Sequence, residues 1–339
     1  MVAEIHGRAR LSQPSNAPET NTAARQSLAL PSIISNTVKD TFTLADLQSW
    51  APGKTKAPIR LGVFGHTVAH SLSPEIQNGA LKEAGLAMRY TRFDIAPEEL
   101  GAALGLSRDL EFVGVNLTVP HKIAGLALVD QADETARKIG AINTIKFERG
   151  KLRGFNTDGA GFARAIREEF SIDLRDLRIL IVGAGGAARA IAWQCAKENC
   201  ERLVIANRDL ANANALCEEL REFFTGPRVL GPVARLQAIA LEEAALRFQV
   251  ANVDLVVNAT PLGLNRNDPL PVPARLIEPH LMIYDTVYSS MPTAFVSGAV
   301  ESGARAADGL SMLLHQGALA FEIWFDRPAP IAAMRKALV

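Results

Sequence analysis

The sequence predicts an α/β fold of two parts, in which strands alternate with helices. Three observations carry this. From Ile59 to the C-terminus, short apolar runs alternate with segments of helical spacing. One of these runs, RILIVGAGG (178–186), reads as a buried strand that enters a glycine turn and opens a helix. With 339 residues, the chain is long enough for two ordinary domains.

Composition narrows the function classes. Hydrophobic residues make up 48% and charged residues 21%, as in a globular protein, and 36 basic residues balance 36 acidic ones. No basic excess points to nucleic acid or to a membrane surface. No stretch approaches the ~20 apolar residues of a membrane span. The first residues lack the apolar core of a secretory signal. Cys195, Cys200 and Cys217 form no CxxC pair and are too few for a disulfide framework. They read as buried or half-buried thiols of a reducing cytosol, so a cytoplasmic protein is expected. His66, His70, His121 and His315 have no metal-ligand spacing, and no metal is expected.

Residues 1–35 are rich in Ser, Ala, Asn, Thr and Pro and read as a loosely ordered extension. A short amphipathic element over 44–50 packs onto the main body before the linker Pro52-Gly53-Lys54. IRLGVFG (59–65) is a buried strand ending in glycine. Ser-Pro at 73–74 opens a helix that stops at Gly85. MRYTRFDI (88–95) alternates like a strand, 97–108 is helical and FVGVNLT (112–118) is a strand. Short helical pieces fill 121–138, and strands follow at 141–147 and 151–156. A helix over 158–170 precedes the strand at 178 and a helix to Lys197. Then come a strand at 201–207, a helix to Phe224, strands at 253–260 and 281–288, and helices at 293–303 and 309–325. The alternation argues for parallel sheets covered on both faces.

Gly183-Ala184-Gly185-Gly186-Ala187-Ala188 follows a strand and opens a helix, giving the dinucleotide fingerprint G-x-G-x-x-A. The first glycine permits the turn, the second lets the backbone approach the pyrophosphate, and Ala188 lets helix and strand pack closely. The helix N-terminus offers N–H groups and positive dipole to the phosphates. NAD-preferring sites usually end the next strand with an acidic residue on the ribose 2′-OH. Asn207 and Arg208 stand there instead. A guanidinium suits a 2′-phosphate, which favours NADP. Asp209 could oppose that phosphate, which keeps NAD open.

Lys122 follows a strand end, where ligands sit in α/β folds, and Asp158 ends another strand in GFNTDGAG. Reducing a ketone needs a general acid, and a lysine held by a carboxylate serves. By sequence pattern alone, either residue reads better as a surface charge. Ser71 and Ser73 stand at a helix start, where hydroxyls suit a substrate carboxylate, although Ser73 also reads as an N-cap. Asn116, Thr118, Asn143 and Asn156 could each cap a turn. Together they read as a polar pocket for a small polyhydroxylated acid.

From Ile59 onward the chain resembles shikimate dehydrogenases. GHTVAHSLSP, VNLTVPHK, GAINT, GFNTDGAG, GAGGAARA, NATPLG, DTVY and ADGLSMLLHQ occur in that family's order. The resemblance implies a catalytic pair of Lys122 and Asp158. It puts Ser71 and Ser73 on the substrate carboxylate, and Thr118, Asn143, Asp158, Tyr288 and Gln316 around the substrate. It implies cofactor contacts from Gly183, Ala184, Gly185, Gly186, Ala187, Asn207, Arg208, Thr286 and Gly309. The implied fold is an N-terminal α/β substrate domain (59–157, rejoined by 309–339) plus a Rossmann-type NADP-binding domain (158–308), with the site in the cleft. Residues 1–58 fall outside it as a partly disordered extension.

The implied activity is reversible NADPH-dependent reduction of 3-dehydroshikimate to shikimate, in chorismate and aromatic amino-acid biosynthesis. The partner is then a small molecule, with no nucleic acid or membrane, and the protein a monomer or homodimer. Asp209 replaces the family's common Thr, and Asn212 stands where a second basic residue often helps. These departures keep a quinate/shikimate dehydrogenase using NAD as an alternative. Thr67 and Ser290 each replace a usual Pro, and Ser311 a usual Gly. A reading of another class is a non-catalytic regulatory relative, against which Lys122, Asp158 and Gln316 speak.

Overall fold

The computed structural model describes residues 39–50, 58–225, 234–289 and 291–338. The expectations for residues 1–35, the Pro52–Lys54 linker and Ser290 fall outside these residues. Two sheets organise the rest.

The first sheet gathers β1 (Thr41–Phe42), β2 (Ile59–Gly65), β3 (Arg89–Asp94), β4 (Gly114–Leu117), β5 (Gln131–Ala132), β6 (Thr144–Glu148) and β7 (Lys151–Phe155) in the order β1-β3-β2-β4-β6-β7-β5. Its connecting helices are α1 (Leu44–Gln48), α2 (Ser73–Glu83), α3 (Leu100–Asp109), α4 (His121–Ala124) and α5 (Glu134–Ile139). β1 to β4 pair in parallel, but β6 runs antiparallel to both β4 and β7. The expectation of parallel sheets holds for β1 to β4 and is corrected at β6. For the β6–β7 pair the cause is local: Arg149 and Gly150 both have positive φ, 52° and 74°, and form a two-residue hairpin turn instead of a helical crossover.

The second sheet gathers β8 (Arg178–Val182), β9 (Arg202–Asn207), β10 (Leu236–Ala240), β11 (Leu255–Asn258), β12 (Met282–Asp285) and β13 (Arg305–Ala307). All its pairings are parallel, in the order β10-β9-β8-β11-β12-β13. This is the doubly wound order of dinucleotide-binding folds, which reverses between β8 and β11. The crossovers include α7 (Gly186–Lys197), α8 (Leu210–Leu220), α9 (Glu243–Val250) and α10 (Ala294–Glu301). Ile179, Leu180, Ile181 and Val182 of β8 are all wholly buried, so both faces of this strand are core. A continuous apolar run is what such a strand requires.

α6 (Asp158–Phe170) leaves the first sheet toward the second, and α11 (Leu310–Phe325) returns from it. These two helices pack along one another, and α12 (Ile331–Lys336) closes on α2. Trp324 of α11 donates its indole N–H to the Ile145 carbonyl on β6, 3.0 Å away. The last helices thus belong to the core of the first sheet, where Leu314, Ala318 and Phe321 join Leu61, Val63 and Ile76.

Several short elements escaped the sequence reading, among them β5, β10, β13, α9 and α12. β3 is also buried on both faces, with Tyr90, Thr91, Arg92 and Phe93 all inside, although its alternation suggested one exposed face. It lies between β1 and β2, with α2 packed against it. Among the described residues no helix is long and apolar enough to cross a membrane, and no cluster of His, Cys, Asp and Glu could hold a metal.

Gly114 on β4 gives a direct test of the returning helix. A Cβ there would overlap Trp324 Nε1 and fall 2.6 Å from the Ile145 carbonyl. Gly114→Ala is expected to cost about 1–3 kcal/mol of stability, as overpacking does. Urea unfolding with an unchanged midpoint would contradict this docking of α11.

Candidate active site

The site begins with Asp158, the first residue of α6. Its backbone N–H donates to Asn156 Oδ1 at 3.1 Å, while Asn156 Nδ2 donates to the Ala141 carbonyl at 2.9 Å. Both ends of the Asn156 amide serve the turn, so Asn156 shapes the chain rather than lining a pocket. The Asp158 side chain is only 4% exposed and that of Lys122 15%. Lys122 Nζ donates to Asp158 Oδ2 at 2.6 Å. Asn143 Nδ2 donates to the other oxygen, Oδ1, at 2.8 Å. The carboxylate therefore has a partner on each side, which a buried charge needs.

Lys122 comes from α4, directly after β4. Its carbonyl accepts the Ile142 N–H at 2.8 Å, which fixes the lysine backbone against the chain leading to Asn143. Asn143 is 1% exposed. Its Oδ1 accepts the Thr157 N–H at 2.8 Å, and its Nδ2 also reaches Thr157 Oγ1 at 2.8 Å and Gln316 Oε1 at 3.3 Å. Lys122, Asn143, Asp158 and Gln316 are thereby joined in one polar cluster. Thr118, half-buried, packs its methyl where a Cβ on Gly65 would fall.

The serine segment lies at the start of α2. The N-cap position is Leu72, whose own side chain makes no cap hydrogen bond, so the N-cap reading of Ser73 is corrected. Ser73 is already helical. Ser71 takes the capping part instead, its Oγ accepting the Ser73 N–H at 3.3 Å. Tyr288, half-buried, turns its hydroxyl toward the Leu72 backbone and the Ser71 side chain, and burial raises its pKa.

Two further residues brace this segment and were read only as parts of a strand. Arg92, 8% exposed, donates from Nε to the Ser71 carbonyl at 2.9 Å and from Nη2 to Glu75 at 2.6 Å. Tyr90, two residues earlier and so on the same face of β3, donates its hydroxyl to Asn116 Oδ1 at 2.8 Å. Burial pushes Tyr90 well above the ordinary tyrosine range, with the Ser73 side chain hydrogen-bonded to it. Asn116 then donates to the Asn143 carbonyl and to Thr144 Oγ1, both at 3.0 Å. A buried polar path thus links the serine end to the lysine end. The sequence announces only a strand; its place between β1 and β2 turns these polar residues inward.

The glycine turn follows β8. Gly183 has φ +118°, and a Cβ there would meet the Ala259 carbonyl at 2.8 Å. At Gly185 a Cβ would meet nothing within 4 Å, so open space lies where phosphates would approach the N-terminus of α7. Ala184, Gly186 and Ala187 are half-buried beside it. At the end of β9, Asn207 Nδ2 donates to the Asp209 carbonyl at 2.9 Å. Asp209 is the N-cap of α8, its side chain accepting from the Ala211 N–H at 2.9 Å and from Asn212 Nδ2 at 3.2 Å. Arg208 is exposed. At the other edge, Gly309 lies so close to Thr286 that a Cβ would overlap its carbonyl oxygen. The turn, the helix end and the exposed guanidinium fit a phosphorylated dinucleotide.

The model for the shikimate dehydrogenase substrate binding domain matches residues 63–145. That for shikimate / quinate 5-dehydrogenase matches 164–260, and that for the shikimate 5'-dehydrogenase C-terminal domain matches 309–339. A shikimate dehydrogenase (NADP(+)) of Methanopyrus kandleri is 44% identical over 281 residues, covering 82% of this chain and 94% of that protein. The crystal structure of shikimate 5-dehydrogenase from Thermus thermophilus, in complex with NADP(H) and shikimate, aligns with a TM-score of 0.70 and 37% identity over 82% of this chain and 98% of that one. Quinate dehydrogenase from Corynebacterium glutamicum, in complex with NAD, aligns with a TM-score of 0.72 and 26% identity over 83% and 99%.

His121, beside Lys122, yields a pH prediction. It is buried, and its Nε2–H donates to the Ile95 carbonyl at 2.8 Å. Burial lowers its pKa below the ordinary value. The unfolded chain protonates this ring near about pH 6.5, whereas the folded chain keeps it neutral. Its stability contribution is therefore present above that pH and lost as pH falls toward the depressed folded value. Unfolding free energy is expected to fall between about pH 7.5 and about pH 5.5, less steeply in His121→Gln. Equal slopes would remove His121 as a cause.

Proposed function

The chain belongs to the shikimate dehydrogenase family, and we propose that it catalyses the reversible NADPH-dependent reduction of 3-dehydroshikimate to shikimate, a step of aromatic amino-acid biosynthesis by way of chorismate. The observation that carries this reading is the buried Lys122–Asp158 pair beside the glycine turn, in a chain 44% identical to a shikimate dehydrogenase (NADP(+)). The reading takes the first sheet with the last helices as the substrate-binding part, 59–157 with 309–339. It takes 158–308 as the cofactor part.

The substrate carboxylate docks on the Ser71 and Ser73 hydroxyls at the start of α2, with Tyr288 alongside. Arg92 holds the segment from behind through the Ser71 carbonyl. Asn143, Thr118 and Gln316 orient the ring hydroxyls. The cofactor is held by Gly183, Ala184, Gly185, Gly186 and Ala187 at its pyrophosphate, by Asn207 and Arg208 at the 2′-phosphate, and by Thr286 and Gly309 at the nicotinamide. When bound, it supplies or accepts the hydride at the carbonyl carbon. Lys122 gives a proton to the carbonyl oxygen during reduction and takes it back in oxidation, and Asp158 keeps the ammonium in line. The protein's share is positioning and proton transfer. The reading includes a cytoplasmic enzyme working as a monomer or homodimer.

Initial rates with shikimate and quinate, each with NADP+ and NAD+, test the assignment. Shikimate with NADP+ is expected to exceed the other three combinations. Faster turnover of quinate or with NAD+ would move the protein to the broader quinate/shikimate class, and cofactor binding with no turnover would favour a regulatory role. Two variants separate the roles within the site. Lys122→Ala is expected to lower kcat by about 100-fold or more with a smaller change in KM, as for an interaction made in the transition state. Ser71→Ala is expected chiefly to raise KM for shikimate. A near-normal kcat in the first, or an unchanged KM in the second, would overturn the role concerned.

A further inference from the structure

The dinucleotide fingerprint asks for glycine at 183 and 185 and for a small residue at 188, and leaves the two positions between 185 and 188 free. Gly186 is one of the free positions. Its backbone does not require glycine either, since it has no positive φ and is the first residue of α7. Glycine in a helix is less favourable than alanine. Something other than the turn and the helix keeps a side chain away from this position.

The neighbour is Lys122. A Cβ on Gly186 would fall 2.9 Å from Lys122 Cβ, 3.4 Å from its Cδ and 3.6 Å from its Cγ. The closest of these atoms is at the root of the lysine side chain, so a change of rotamer would not clear it. The root is itself fixed, because the Lys122 carbonyl accepts the Ile142 N–H. The far end is fixed too, with Nζ 2.6 Å from Asp158 Oδ2. Asp158 could not follow a displaced lysine. The residue after it, Gly159, lies against α7, where a Cβ would meet the Ala190 carbonyl at 2.7 Å.

We propose that Gly186 is a positioning residue for proton transfer: its missing side chain lets the Lys122 stem lie directly on the cofactor turn, which sets the distance between the proton donor and the cofactor seat. This rests on the activity proposed above. It gives Gly186 a task distinct from that of Gly185, whose open surroundings face the phosphates. Arg189, one turn further along α7, makes a second contact of the same kind by donating from Nε to the Ile139 carbonyl of α5 at 2.7 Å. The first turn of α7 thus meets the substrate half at two points, and Gly186 is the one that touches the lysine.

The test compares wild type, Gly186→Ala and Gly185→Ala. Misplacing a reacting group by about 1 Å can cost about 100-fold in rate. Gly186→Ala is expected to lose about 10–100-fold in kcat at saturating shikimate and NADP+. Gly186 also lies on the cofactor turn, so its NADPH dissociation constant, measured by fluorescence, should rise, but by a smaller factor than kcat falls. Its urea midpoint should be little changed or somewhat lower, the overlap with the Lys122 stem opposing the gain of alanine in the helix. Gly185→Ala should instead chiefly weaken NADPH binding. A normal kcat in Gly186→Ala, or a loss explained wholly by weaker cofactor binding, would overturn the proposal. A wild type that binds NADPH but oxidises neither shikimate nor quinate would refute the activity instead. The crystal structure of Gly186→Ala then decides: a Lys122 ammonium displaced from Asp158 supports the positioning role, and a retained 2.6 Å contact overturns it.

Discussion

A carboxylate almost sealed from water is the constraint around which the rest of the site is arranged. Removing a charge from water costs several kcal/mol unless partners replace the water. Asp158 meets this with Lys122 on one oxygen, Asn143 on the other and the start of α6 behind it. Such a pair is weak evidence for stability, because an apolar pair of similar volume often does as well. What it supplies is geometry. The lysine has one low-energy place for its ammonium, and Asn143 has one orientation for its amide. Both fix the chain segments from which they come.

The carboxylate could not sit there without the glycines around it. In GFNTDGAG, Gly159 lets α6 approach the Ala190 carbonyl on α7, and Gly161 lets it approach the backbone of Gln316 on α11. A Cβ at either position would fall within 2.8 Å of its neighbour. Protein interiors pack too densely to absorb such an overlap. The first turn of α6 is therefore held between the helix that follows the glycine turn and the helix that carries Gln316. Residues far apart in the chain reach one cluster because small residues let three helices come unusually close.

This explains which features the sequence made legible. The glycine turn and the long helices rest on local patterns, such as a strand running into glycine or apolar spacing along a helix, whereas Lys122 and Asp158 read as surface charges by pattern and stand out through the family resemblance. The brace formed by Tyr90 and Arg92 does not. MRYTRFDI announces a strand, and only its place between β1 and β2 turns its polar residues inward. The N-cap reading of Ser73 also failed, since capping depends on which residue first becomes helical. The antiparallel β6–β7 pair was hidden for a similar reason, as Arg149-Gly150 signals a hairpin only through its backbone angles. Short edge strands such as β13 bury too few residues to leave a pattern at all.

Asp209 shows how a departure from a family pattern can mislead when read as charge alone. Beside Arg208 it looks like an acidic residue that would repel a 2′-phosphate. In the fold its side chain accepts the Ala211 N–H and the Asn212 amide at the N-terminus of α8. A carboxylate engaged in this way is stabilised by the helix end and faces its N–H groups. The threonine common in the family can cap a helix as well, so the replacement keeps the capping function and adds a charge that the helix end partly offsets. Asn212 has the same explanation: in place of a second cation it supplies an N–H to Asp209. Arg208 is left exposed and available, and the two substitutions that seemed to count against NADP work together as a helix cap.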